Sequence, residues 1–173
     1  MGVRLLENAA WGFDSNCFVC EPANPRGLRI PFAYDDEAQL VTAEFTLGPE
    51  FSGVPRYVHG GVVLAILDEA MAWAAIAAAG RFAVVHQTAT TFDRPVKVGE
   101  AHRVEASVQT SSDAAVTTRA RIFAAGGDGG HDVTGRRCAE AHARLVVMTA
   151  SAASSAIGDL TDDDARYLQG GST

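Results

Sequence analysis

Hydrophobic and polar positions along the chain fall into two kinds of period. Over residues 39–47, Val41, Ala43, Phe45 and Leu47 alternate with Thr42, Glu44 and Thr46, the period of two expected of a strand with one buried face. Val104, Ala106 and Val108 alternate with Arg103, Glu105, Ser107 and Gln109 in the same way. Patterns of this kind predict strands at 27–34, 39–47, 82–92, 102–110, 115–125 and 138–148. Asp35-Asp36 and Ser111-Ser112-Asp113 supply turns between them, and the glycines of 126–130 a looser one. A loop at 48–57, holding Pro49, Gly53 and Pro55, separates the second strand from a stretch of another kind. Residues 62–79 are apolar except for Asp68 and Glu69, with Gly60-Gly61 ahead of them and Gly80 behind, as befits a left-handed helix cap.

The order is therefore two strands, one long helix, four strands. Without strand–helix alternation a doubly wound parallel sheet is excluded, and the expected class is α+β, one long central helix wrapped by an antiparallel sheet of about five to six strands. Small alanines in the helix let a sheet approach on several sides. Residues 1–26, with Pro22 and Pro25, read as an irregular lead-in, 27–149 as the domain proper, and 150–173 as a low-complexity tail. Within that tail Thr161 and the three aspartates after it can cap a short helix through Gln169.

Composition narrows the function. A net charge of −7 argues against a nucleic-acid partner, although a few arginines can still make a local anion site. The first 14 residues carry one Arg4 and no apolar run, unlike a secretory signal. Three cysteines, Cys17, Cys20 and Cys138, are too few and too odd for a disulfide framework, so a reducing, cytoplasmic compartment is expected. A central Asp costs roughly 2.5–3.5 kcal/mol in a membrane-spanning helix, and Asp68 has Glu69 beside it, so 62–79 reads as a core helix and no membrane partner is expected.

The chemistry concentrates at the helix start. Two glycines there leave backbone N–H groups approachable, and the helix dipole adds partial positive charge, which suits a carbonyl oxygen gaining charge under attack. Asp68 lies two turns beyond Gly61 on nearly the same face. An apolar setting disfavours its charged form and raises its pKa, as suits a general base or nucleophile. Together these features point to acyl-group hydrolysis. An ordinary turn with a structural His59, and a solvated or subunit-paired Asp68-Glu69, would produce the same local pattern.

The run from His59 through Met71 (His59-Gly60-Gly61-Val62-Val63-Leu64-Ala65-Ile66-Leu67-Asp68-Glu69-Ala70-Met71) resembles the helix signature of hotdog-fold thioesterases of the phenylacetic-acid (PaaI-like) type. Phe92-Asp93-Arg94-Pro95-Val96-Lys97-Val98-Gly99-Glu100 is similar to that family's strand ending in Arg-Pro. Cys17-Phe18-Val19-Cys20 with Asn24-Pro25-Arg26-Gly27-Leu28 resembles the lead-in of one subgroup. The resemblance covers roughly 17–148 in order. It implies a hotdog fold, homodimers or homotetramers with sites at subunit interfaces, acyl-CoA as substrate, and no metal or organic cofactor. It also implies that Asp68 is the catalytic carboxylate and that the Gly60 or Gly61 N–H is the oxyanion contact; the mechanism expected from this takes Asp68 from the partner subunit and has His59 hold the loop in shape.

Many relatives of that type carry Asn or Gln six or seven residues before the His, where this chain has Gly53 and Ser52, and often Ser or Thr where it has Val85 followed by His86. The subgroup's Gly after the second Cys is Glu21. Ser52, His86, Arg94 and Glu69 are the candidates for substrate contact, and Glu69 is the alternative acid if the register shifts by one. Arg26, Arg56, Arg94 and Lys97 could meet coenzyme A phosphates. Cys17 and Cys20 have metal-like spacing but no second pair, so packed thiols and no metal are expected. A non-catalytic acyl-thioester binder and a hotdog 3-hydroxyacyl dehydratase or hydratase are the alternative functions.

Overall fold

The computed structural model describes residues 2–11, 14–125 and 135–158. Nine strands and two α-helices follow in chain order: β1 (Val3–Leu6), β2 (Phe32–Asp35), β3 (Leu40–Thr46), β4 (Ser52–Val54), β5 (Tyr57–Val58), α1 (Gly60–Ala77), β6 (Ala83–Phe92), β7 (Ala101–Ser111), β8 (Ala115–Ala124), β9 (Arg137–Val147) and α2 (Ala150–Ile157). Seven strands make one sheet in the order β1-β2-β3-β7-β8-β9-β6, and β4-β5 form a separate ribbon. Every pairing in the large sheet is antiparallel.

The α+β class, the central helix and the antiparallel sheet are as expected; the sheet has one strand more than the upper estimate among the described residues. The extra strand is β1, in the segment read as irregular, which pairs with β2 from Val3↔Asp35 to Leu6↔Phe32. Asp35 makes the β2–β3 turn by accepting the N–H groups of Glu37 and Ala38 on Oδ1, at 2.9 and 3.0 Å. Residues 27–31, read as strand, lie outside the sheet. Leu28 and Ile30 are buried as alternation requires, but their N–H groups go to the carbonyls of Phe18 and Val19 in the lead-in. Arg29 between them has φ 53°.

The alternating strands place Val41 opposite Ala106, Ala106 opposite Ala120, and Ala120 opposite Ala141 on one continuous inner face. Against it α1 sets Ile66, Leu67, Ala70, Met71, Trp73 and Ala74, all buried, where a Leu or Ile contributes about 1.5–3 kcal/mol. The alanines on both sides let helix and sheet approach closely, and Trp73 fills the wider gap. Length and hydropathy alone would let α1 cross a membrane; in the fold it is the core helix. It ends at Ala77, and beyond it Gly80, φ 63°, returns its N–H to Ile76 O at 3.1 Å. Thr149 caps α2 by accepting the Ala152 N–H. The turn expected at 126–130 and the short helix from Thr161 to Gln169 lie outside the described residues.

Candidate active site

The start of α1 is built by its neighbours. Tyr57 of β5 bridges Lys97, the Val58 N–H donates to Val96 O at 2.9 Å, and the Val98 N–H donates to Arg56 O at 3.0 Å. His59 is the N-cap. Its backbone is non-helical (φ −59°, ψ 135°), its carbonyl accepts from Val62 and Val63, and its ring Nδ1 accepts the Gly61 N–H at 2.9 Å. That bond requires the imidazole to carry its proton on Nε2. Glycines flank the ring: a Cβ on Gly61 would lie 3.1 Å from Nδ1, and one on Gly53 3.2 Å from the His59 Cα and Cδ2. Gly53 is the floor on which His59 rests.

The two glycine N–H groups therefore differ. Gly61's is occupied by His59, whereas Gly60's has no acceptor among the described residues, and a Cβ there would meet nothing. Substitution should separate them. Gly61→Val is expected to displace the imidazole and lower stability by about 1–2 kcal/mol through loss of the cap, read as a fall in the urea midpoint, whereas Gly60→Ala should leave the midpoint within about 0.5 kcal/mol of wild type. Equal losses would contradict the cap assignment.

Gly60 lines a shallow cleft of about 300 Å³ whose walls include Val58, Val63, Phe92, Arg94 and Val96. The far wall is pinned to β9. The Asp93 and Arg94 N–H groups both donate to Cys138 O, Arg94 Nη1 donates to Arg137 O at 3.0 Å, and Arg137 Nε meets Asp93 Oδ2 at 2.7 Å. Arg137 also reaches Glu140, which Arg119 and His142 contact as well. Burial would raise the Glu140 carboxyl, but His142, Arg119 and Arg137 hold it down at about 2. Phe92, in this wall, is 54% exposed. His102 supports the wall from beneath: buried and stacked on Phe45, it accepts the Lys97 N–H on Nε2 and donates from Nδ1 to Glu100 O. Burial lowers its pKa, so it is neutral. Sequence reading missed Phe92, Asp93 and His102 as parts of the site; an inward-facing His at the start of a strand was the available signal for the last.

Asp68 is half-buried on α1, and burial raises its pKa. It does not line the cleft; seven residues past Gly61, it lies about 10 Å along the helix axis. Glu69 turns elsewhere, to Cys17 and Cys20. Burial and the neighbouring Cys17 push its carboxyl up to about 7. The Cys20 thiol donates to Cys17 and so holds Cys17 low, at about 5, while that same bond and burial raise Cys20.

The remaining predicted residues scatter. The Ser52 hydroxyl donates to Pro49 O at 2.7 Å. His86 is exposed on β6, the extra residue of a bulge between Val85 and Gln87. Arg56 and Lys97 sit on the segments that flank the cleft, Lys97 paired with Glu100 at 3.0 Å. Arg26 is exposed on the lead-in.

Several solved structures share this fold. A thioesterase superfamily protein superposes with a TM-score of 0.67 at 22% identity over 83% of this chain, which spans 66% of that protein's length. The fold is the hotdog. Residues 56–130, which carry the hotdog helix and the cleft walls, match the sequence profile of the thioesterase superfamily. The Escherichia coli PaaI protein from the phenylacetic acid degradation operon is similar at TM-score 0.59 and 18% identity, over 70% of this chain and 80% of that one. A Streptococcus mutans protein solved bound to acetyl-CoA gives TM-score 0.56 and 14% identity, over 64% of this chain and 82% of that one. No curated protein sequence matches the chain.

Proposed function

We propose that the protein hydrolyses acyl-CoA thioesters, with the Gly60 N–H as oxyanion donor and Asp68 of a second subunit as the base that activates water. The observation that carries this reading is the unpaired Gly60 N–H at the amino end of an 18-residue helix, opening into a cleft with Arg94 on its wall. A helix N-terminus favours negative charge, and a donor held by the fold needs no reorganisation as charge develops on the thioester oxygen. Water attacks the carbonyl carbon and gives its proton to Asp68; the C–S bond then breaks and coenzyme A leaves as the thiolate, which is reprotonated. The matched thioesterase profile and a neighbour bound to acetyl-CoA support this substrate class. Arg56, Arg94 and Lys97, on the segments around the cleft, would face the coenzyme phosphates.

The reading takes Asp68 from a second copy, because within one chain eight residues of helix set it about 12 Å along the axis from Gly60, too far for both to reach one thioester carbonyl. The helix supports such a pairing. Val62, Leu64, Ala65, Asp68, Ala72 and Ile76 are only partly covered by their own chain, and their spacing puts them on one stripe. A helix that is apolar all round is stable when covered all round, and a second copy of the same stripe supplies the cover.

The test is thiol release from aromatic, short-chain and long-chain acyl-CoA esters by the purified protein. Turnover of at least one class is expected. Saturable acyl-CoA binding without turnover would make the protein a binder, and hydration of an enoyl-CoA without thiol release would make it a hydratase.

A further inference from the structure

We propose that Cys17, Cys20 and Glu69 bind a thiophilic divalent metal ion, zinc foremost, which pins the amino-terminal segment to the middle of α1. The proposal is independent of the hydrolase reading, in which Glu69 takes no part.

The Cys17-Phe18-Val19-Cys20 turn curls its backbone around one sulfur. The Val19 and Cys20 N–H groups both point at Cys17 Sγ, at 3.3 and 3.4 Å. Asn8, itself buried, donates Nδ2 to Cys20 Sγ at 3.4 Å. A neutral thiol is a weak acceptor, and three N–H donors aimed at two sulfurs make a setting for thiolates. The turn is held from behind, where the Leu28 N–H donates to Phe18 O at 2.7 Å and the Ile30 N–H to Val19 O at 2.9 Å. Glu69 arrives from the helix, and one ligand atom from each of the three side chains lies within 4.8 Å of the others.

Tetrahedral zinc, with bonds of about 2.3 Å to sulfur and 2.0–2.2 Å to oxygen, sets its ligand atoms about 3.5–3.8 Å apart. Closing the cluster by about one ångström is within reach of small side-chain rotations. Among the described residues no basic side chain pairs with Glu69. The negative charge such a cluster can carry therefore lacks a protein counter-ion. Thiolate ligands select zinc over magnesium or calcium, and three protein ligands leave the fourth position to water.

The experiment is titration of the reduced, metal-free full chain with cobalt(II), followed by zinc. One equivalent of cobalt should produce sulfur-to-metal charge-transfer absorption with the intense d–d bands of a four-coordinate site, and zinc should abolish both. Cys17→Ser and Cys20→Ser should lose the charge-transfer band. Glu69→Gln should keep it with weaker binding, and Asn8→Ala, which removes only the donor to Cys20, should weaken binding about 10–100-fold. Zinc should raise the thermal midpoint of the wild type and leave that of Cys17→Ser unchanged. Absence of the charge-transfer band in reduced wild type, or its persistence in both serine variants, would overturn the site. So would formation of a Cys17–Cys20 disulfide in a protein that takes up no metal when reduced, which would assign the pair to thiol oxidation instead.

Discussion

Asp68→Asn is expected to lower kcat for acyl-CoA hydrolysis by about 10²–10⁴-fold, the usual contribution of a positioned base, without loss of stability. Asp68 is half-buried and has no hydrogen-bond or ion-pair partner among the described residues, and burial raises its pKa. The sign follows directly. A carboxyl whose folded pKa lies above its unfolded one is destabilising when ionised at neutral pH, so a neutral amide of the same shape should hold or raise the thermal midpoint. Such an outcome would mark Asp68 as a residue kept for chemistry at some expense to stability. Retention of most of the activity would remove it from the mechanism. Mixing Asp68→Asn with Gly60→Pro chains, the proline removing the donor N–H at a helix position that tolerates it, tests the shared site, because a mixed dimer regains one intact pair only if base and oxyanion donor come from different subunits.

Trp73→Ala should be the most damaging single change to the fold, at about 3–5 kcal/mol against a total stability of about 5–15 kcal/mol for a domain. Trp73 is 2% exposed, the largest of the fully buried side chains, on a helix whose buried neighbours Ala70, Ala74 and Ala75 are small. Alanine neighbours cannot move in to refill the space, because their backbone is fixed by the helix. Urea unfolding should show a lower midpoint with an unchanged slope, and Trp73→Phe should recover more than half of the loss. A loss below about 1 kcal/mol would mean that the core collapses around the vacancy.

The core of the fold was legible because its signals are local. Val41, Ala43 and Phe45 declare a buried face by their own alternation, and 62–79 declares a core helix by its continuity. The segment 27–31 misled for an equally physical reason: Leu28 and Ile30 point inward as in a strand, but alternation reports burial and not hydrogen-bond partners. Those partners proved to be Phe18 and Val19. At the site, spacing placed Gly60, Gly61 and Asp68 on one helix but could not tell which glycine N–H was already engaged. That depends on the His59 rotamer and on the room that Gly53 leaves for it. Nor could it tell that Glu69 faces Cys17 and Cys20, a contact across half a hundred residues that no local period encodes.

The bulge at His86 has a consequence for solubility. β6 is a ten-residue strand at the open margin of the sheet, with Val84 and Phe92 both more than half exposed. A flat strand of that length and character is a template on which extended chains polymerise. The shifted register between Val85 and Gln87 bends and over-twists it locally, so a straight segment from a stranger can hydrogen-bond along only part of its length. One inserted residue thus shortens the straight run along which a foreign strand could pair with this margin.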